Sequence, residues 1–427
     1  MSTQAQPEVV REGGCPILHG YDPLAESIVR DPSVWMEVAR AQAPVFYEPQ
    51  YGDWVVTRYD DVIRVLSDTD TFSSKNSVPL PDPPEEVADQ LPDRRFAFRR
   101  NVGSMDPPEH ARFRGLIQPA FARKQANLKL DEIRSIINET LERIIGNGHA
   151  DFATDFCQRI PVRVIAGFLG IPTEDTARVY QWATELLQLF GNPTMDHDEL
   201  VRLSSRQIEF EKYVESLIAG RRENPLGEND FVTNLLNARS DVGEPQLSDR
   251  EITSTVIGAI FAGSETSASA MALIIEALLE ERHLWDEVVS DPEIVPRVVE
   301  EGLRVCNPTR ANVRTTTRDV ELGGVTIPKD SLVFVHFWSA DRDESVFEDA
   351  ARFDPHRPNA NQHVTFGKGP HFCPGASLAR AEVTTALQVL AERVPSLRLA
   401  AEHSLRLDRN RAIPFVLGGL DVEWDER

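Results

Sequence analysis

The sequence predicts a mainly α-helical protein with small β-sheets, and three features carry that expectation. First, residues 108–300 keep helical spacing of apolar side chains, broken near Gly146–Gly148, Ile171–Pro172, Gly191–Pro193 and Asn224–Gly227. Second, Ser248-Asp249-Arg250-Glu251 places a hydroxyl and a carboxylate three apart, as in a capping box, and no proline follows before Pro292. A helix from Ser248 to about Arg282 would be roughly 50 Å long at 1.5 Å per residue. That is the width of a whole globule, so the helix must cross the core, and its middle is apolar on every side. Third, beyond Pro308 the periodicity shortens to that of strands.

Taken in order, residues 1–20 read as a flexible N-terminal arm. Gly52 to Tyr59 reads as a short strand, followed by a helix that Asp60 or Asp61 caps. Ser77 to Asp93 is rich in proline and acid and reads as a long loop of the kind that forms lids. Val320 to Ile327 holds a Gly-Gly turn between short runs, and Leu332 to Phe337 is a further strand. A loop spans Asp341 to Gly369, and a last amphipathic helix after Cys373 aligns Ala379, Val383, Leu387, Leu390 and Val394.

The bulk properties exclude several functions. A net charge of −23 argues against a nucleic-acid partner, which needs a basic footprint. The acid is uneven: Arg94, Arg95, Arg99, Arg100, Arg112, Arg114, Arg123 and Lys124 face only Asp106 and Glu109 in the same stretch. Apolar runs such as Val256 to Ala262 fall far short of the ~20 residues that span a bilayer. The polar N-terminus lacks a signal-peptide pattern, so no membrane and a cytoplasmic location are expected. Cys15, Cys157, Cys306 and Cys373 form no C-x-x-C pair and no regular framework, which argues against zinc and disulfides.

Phe366 to Gly375 reads FGKGPHFCPG. Gly367 and Gly369 allow a tight turn and a close approach to a ligand. Cys373 stands before a helix, with Pro374 at a tolerated first-turn position, and a helix N-terminus favours the thiolate. Phe366 shields the site. Taken singly, one cysteine beside glycines is a buried thiol near a turn; the whole pattern says more. It resembles the haem-binding signature of the cytochrome P-450 family, whose iron takes an axial cysteine. The bacterial form F-G-x-G-x-H-x-C-x-G is met at every fixed position. The resemblance runs from about Tyr51 to the C-terminus. It implies a single haem-thiolate monooxygenase domain over residues 21–427, shaped as a triangular prism, with haem b (heme b) ligated by Cys373 and lined by Phe366 and Gly367.

Four further blocks stand in the family's order. Ala262-Gly-Ser-Glu-Thr-Ser267 is a polar interruption of a buried helix. Gly263 removes a side chain where a flat cofactor would approach, Thr266 is placed to bond back to the Ala262 carbonyl, and Glu265 is an acid in apolar surroundings. The block resembles the family's oxygen-activation motif, which implies Thr266 and Glu265 as catalytic groups and Ala262 and Gly263 at the cofactor. Glu301 and Arg304, three apart, resemble the E-x-x-R motif, and Arg357 takes the place of its later arginine; the implied role is a buried network behind the cysteine loop. His110, Arg114, Arg314 and His371 resemble positions that hold the haem propionates. Ala340-Asp-Arg-Asp343 resembles A-N-R-D, with Asp341 a minor departure.

The resemblance implies insertion of one oxygen atom from O2 into a small organic substrate, by hydroxylation or O-demethylation. The chain leaves no room for a flavin or iron–sulfur domain, so electrons from NAD(P)H are expected through a separate ferredoxin and ferredoxin reductase. Arg112, Arg123 and Lys124, with Lys368, are expected to meet an acidic ferredoxin. A monomer is expected. A haem-based sensor without turnover and a peroxide-driven peroxygenase remain as alternatives. For the substrate, Arg310 and Ala311 are expected at the pocket, Arg310 meeting a carboxylate or phenolate.

Overall fold

The computed structural model describes residues 7–78, 80–190, 195–227, 230–239, 246–408 and 413–425. Its backbone contacts divide the chain into two compact units. The first takes Met1–Ser77, Leu273–Cys373 and Ser404–Gly418; the second takes Val78–Ala272, Pro374–His403 and Gly419–Arg427.

The first unit is built on a five-stranded sheet in the order Val45–Glu48, Asp53–Val56, Leu332–His336, Ala311–Thr316, Phe72–Ser73. Asp53–Val56 and Leu332–His336 run parallel and the other neighbours antiparallel. Side chains alternate across it, as a period of two requires. Val45, Trp54, Val56, Val333 and Val335 pack with Val62, Val65 and Leu66 of the helix Tyr59–Ser67. Phe46, Val55, Ala311 and Phe334 pack with Ile28, Met36 and Ala39. The expected cap at Asp60 or Asp61 is not made: both lie inside the first turn, where a carboxylate favours the helix dipole. The arm is not loose either. Glu8–Glu12 pairs antiparallel with Cys15–His19, and Leu18 is buried. Residues 1–6 of that arm, and the expected break at Gly191–Pro193, lie outside the described residues.

The second unit packs the helices Arg159–Phe168, Thr176–Leu189, His197–Glu223 and Phe231–Asn237 around residues Leu247 to Ile260. The long helix runs Asp249–Glu280, within two residues of expectation. Its cap is the expected one: Glu251 N–H donates to Ser248 Oγ at 3.3 Å and Ser248 N–H to the Glu251 carboxylate at 2.7 Å. Contrary to the reading from apolar runs, this helix is long and apolar enough to cross a bilayer, yet 61% of its most apolar window is buried inside the protein. The stretch read as loop from Ser77 to Asp93 holds a short helix, Glu85–Ala88, and a tight turn, Pro92–Arg94.

Candidate active site

The cysteine loop belongs to the first unit. Gly367 and Gly369 adopt φ of +71° and +69°, the left-handed region that glycine enters without strain. A side chain on Gly369 would stand 2.7 Å from the carbonyl of Leu66, so the loop needs glycine there for close approach as well. The turn is closed by Cys373 N–H donating to Phe366 O at 2.8 Å and Gly367 N–H to Val364 O at 2.7 Å. Phe366 meets the rings of His363 and Phe372 edgewise or tilted, at 5.7 and 6.3 Å. Cys373 is half-buried. The helix that follows begins at Ala376 and runs to Arg393.

Behind the loop lies the network expected at Glu301, Arg304 and Arg357. Glu301 and Arg304 are wholly buried. Arg304 clamps Glu301 with two bonds of 2.8 and 2.7 Å, and Arg357 adds a third to the same carboxylate at 2.9 Å. The remaining Arg304 donors reach the carbonyls of Asp341, Ala350 and Arg352. Asp341 then passes the constraint on. Its carboxylate accepts from Val364 N–H at 2.6 Å, Thr365 Oγ at 3.0 Å and Asn307 Nδ2 at 2.8 Å. Val364 and Thr365 lead directly into the cysteine loop. Asp341, read as a minor departure, is therefore the link between the ion network and the loop, and burial raises its carboxyl pKa.

The second unit carries the acid and the hydroxyl. Thr266 Oγ donates to Ala262 O at 2.6 Å, the back-bond expected of it. From Ile252 to Ala272 the helix is largely buried, but one stripe is open: Ala262 is exposed, and Gly258, Ala259, Phe261, Gly263 and Thr266 are partly so. Ala259, Ala262, Gly263 and Thr266 stand at spacings of three and four, on one helix face. Glu265 is 3% exposed. Tyr180, on the helix Thr176–Leu189, hydrogen-bonds Glu265; burial and that carboxylate together push the phenol pKa up. Gly263 also lets two helices approach: Ile165 stands 3.3 Å from where a Cβ on it would lie. One group was missed altogether. Glu382, 2% exposed, faces Ser267, and burial pushes its pKa up to about 8. An acid on an amphipathic helix gives no sign in sequence of pointing inward.

The remaining expected residues divide. His110 is buried on the helix Glu109–Ile117, with Arg114 half-buried one turn on. Arg314 is 2% exposed and donates to Asn312 Oδ1 at 3.0 Å and Val313 O at 2.8 Å. His371 Nε2 lies 3.1 Å from Ser74 Oγ. Arg310 and Ala311 correct the substrate expectation. The Arg310 guanidinium is buried and faces the carbonyls of Ile28 and Arg30, each at 3.5 Å, where the helix Glu26–Arg30 ends. Burial lowers its pKa to about 10, so it keeps its charge at neutral pH and meets the negative end of a helix. Ala311 packs in the apolar cluster with Tyr21, Ile28 and Trp338. Neither residue is left needing a substrate.

Comparison with known proteins decides the family. The chain is 33% identical over 356 residues to mycinamicin IV hydroxylase/epoxidase of Micromonospora griseorubida, covering 82% of this chain and 85% of that protein. The chain belongs to the cytochrome P-450 family. A model of that family, cytochrome P-450, matches residues 197–393. Nocardicin C N-oxygenase of Nocardia uniformis subsp. tsuyamanensis is 34% identical, over 88% of this chain and 92% of its own. The solved cytochrome P-450 CREJ in complex with (4-ethylphenyl) dihydrogen phosphate superposes with a TM-score of 0.87 at 26% identity, over 95% of this chain and all of that one. The chain is thus a monooxygenase of mainly helical fold with haem b as cofactor. Its residues fit that group: a half-buried thiol in a turn that two left-handed glycines fix, a helix face of small residues left open, and a buried guanidinium of the kind that pairs with carboxylates.

Proposed function

We propose that this cytochrome P-450 inserts one atom of O2 into a small organic substrate, by hydroxylation or O-demethylation, with electrons from NAD(P)H delivered by a separate ferredoxin and its reductase. Haem, when bound, supplies the iron at which dioxygen is reduced. Cys373 is its ligand, and His110, Arg114, Arg314 and His371 are the donors for its propionates. The observation that carries the reading is a buried acid, Glu265, next to Thr266, a hydroxyl on the open helix face whose proton is held on Ala262 O at 2.6 Å. Tyr180 keeps its proton in a bond to the buried Glu265 carboxylate, and the Thr266 hydroxyl stands at the open face. A carrier or sensor has no use for such a pair, and a peroxide-driven enzyme needs no protons to cleave O2. We place the protein in the cytoplasm as a monomer.

The test is product formed per NAD(P)H consumed, with oxygen from labelled O2 in the product. Thr266→Ala should keep haem and substrate binding but divert most reducing equivalents to peroxide, at least a tenfold fall in that ratio. A positioned proton donor contributes ~10²–10⁴-fold to a rate, enough to produce such a fall. An unchanged ratio removes the role of Thr266.

The ferredoxin surface needs redrawing. Arg112 is engaged with Glu251 at 2.7 Å and with the carbonyl of Gln246, and Arg94, Arg99 and Arg100 are paired with neighbouring acids. Arg123 and Lys124 are exposed, with no ion pair among the described residues, on the helix Arg123–Leu128, whose Leu128 is 68% exposed. Reversing both charges should slow reduction by ferredoxin several-fold at low salt and leave reduction by dithionite alone. The wild-type rate should fall as salt rises, because exposed charges are screened over ~8–10 Å. A salt-independent rate counts against this surface.

A further inference from the structure

We infer that Glu211 and Arg250 form a latch that seats segment 92–99 on the helices His197–Glu223 and Asp249–Glu280, fixing Phe98 over the long helix, and that the latch loosens when Glu211 gives up its proton. All of these residues lie in the second unit. Ala97 N–H donates to Glu211 Oε1 at 2.8 Å, and both residues are buried. Arg250 Nη2 donates to the carbonyls of Pro92, at 3.2 Å, and Arg95. Its Nη1 is buried with no hydrogen-bond partner among the described residues, so this guanidinium is only partly satisfied.

The segment itself needs holding. Asp93 and Arg94 sit at φ of +53° and +54°, a conformation that costs residues with side chains and persists only where neighbours impose it. Val87, Leu91 and Phe96 pack on Ile208 in a small cluster, and Lys212 Nζ reaches Gln90 Oε1 at 3.1 Å. Phe98 is what the latch positions. Its ring lies 3.3 Å from where a Cβ on Gly258 would stand and 5.1 Å, centroid to centroid, from Phe261, the residue before the open Ala262. Release of segment 92–99 therefore moves an aromatic ring beside the open helix face.

Burial raises the Glu211 carboxyl to about 7 against the Ala97 amide, the Gln207 amide and Arg250, which favour the ionised form; Glu215, on its own helix, opposes ionisation. Once released into water the carboxyl returns to its ordinary value of 4.5. A group whose pKa is raised in the latched state favours that state when protonated. The ratio of released to latched protein should climb from about pH 4.5 to about pH 7 and level off above, by at most about two orders of magnitude.

Hydrogen exchange on the haem-loaded protein tests this without reference to turnover, so it stands or falls apart from the monooxygenase reading. After correction for the intrinsic rate, protection of the Ala97 amide should drop tenfold or more between pH 5 and pH 8. Glu211→Gln, which accepts the same bond but cannot ionise, should abolish the dependence. Arg250→Gln should speed exchange of the same amide at every pH. Protection independent of pH in the wild type, or an unchanged dependence in Glu211→Gln, overturns the latch; should Glu211→Gln fail to fold, the wild-type series and Arg250→Gln decide it.

Discussion

Glu301→Gln is expected to lower the melting temperature sharply and to yield protein that binds little haem. The substitution keeps the shape and removes only the charge. Two guanidinia, Arg304 and Arg357, would then remain buried without the carboxylate that each holds at 2.7–2.9 Å. Breaking one partner out of a buried ion pair costs about 3–5 kcal/mol, because the stranded charge keeps its desolvation penalty. An exposed pair serves as control: Glu199→Gln, opposite Arg202 at 2.8 Å on the surface, should cost under about 1 kcal/mol. The damage should also be directional. Arg304 holds the Asp341 carbonyl, Asp341 holds Val364 and Thr365, and Val364 O receives Gly367 N–H, so slack enters the cysteine loop. Asp341→Asn keeps the acceptor oxygen and should cost far less than Asp341→Ala in both stability and haem retention. If Glu301→Gln melts with the wild type, the network contributes nothing that apolar packing would not.

Short stretches of sequence determine what was legible in advance. The long helix falls within two residues of its expected bounds because its cap and its unbroken periodicity are local. The cysteine turn is legible because two glycines there have conformational and steric reasons to be glycine. The internal network could be named because its spacing on one helix is fixed. The failures involve partners distant in sequence. Asp341 looks like any acid until Val364, 23 residues on, is seen to donate to it. Glu211 and Ala97 are 114 residues apart. An arginine in an apolar stretch invites a substrate as its partner, but Arg310 is answered by a helix end from the first thirty residues. Nothing near Gly263 in sequence announces Ile165, from another helix, 3.3 Å from where its Cβ would stand. Arg112 counts as free charge until Glu251 is found beside it. Patterns report which face of an element is apolar; they do not report which distant group meets a polar side chain.

Cys373→His should abolish the red-shifted Soret band that marks a thiolate in the reduced, CO-bound protein, and should end turnover with it. The other three cysteines make the test decisive. A thiol must ionise before it can ligate a metal. Burial pushes Cys306 up to about 12 and Cys157 upward as well, so both remain protonated, and Cys157 lies in a fully packed core. Cys15 begins the second strand of the N-terminal hairpin and packs against the Val45–Trp54 cluster. Only Cys373 is half-buried in a turn whose backbone is pinned at both ends, by Phe366 O and by Val364 O. Cys306→Ser and Cys157→Ser should therefore keep the band at full height, with at most a modest loss of stability. Loss of the band in Cys306→Ser with retention in Cys373→His would move the iron away from the FGKGPHFCPG loop, and the roles of His371, Phe366 and the network behind them would fall with it.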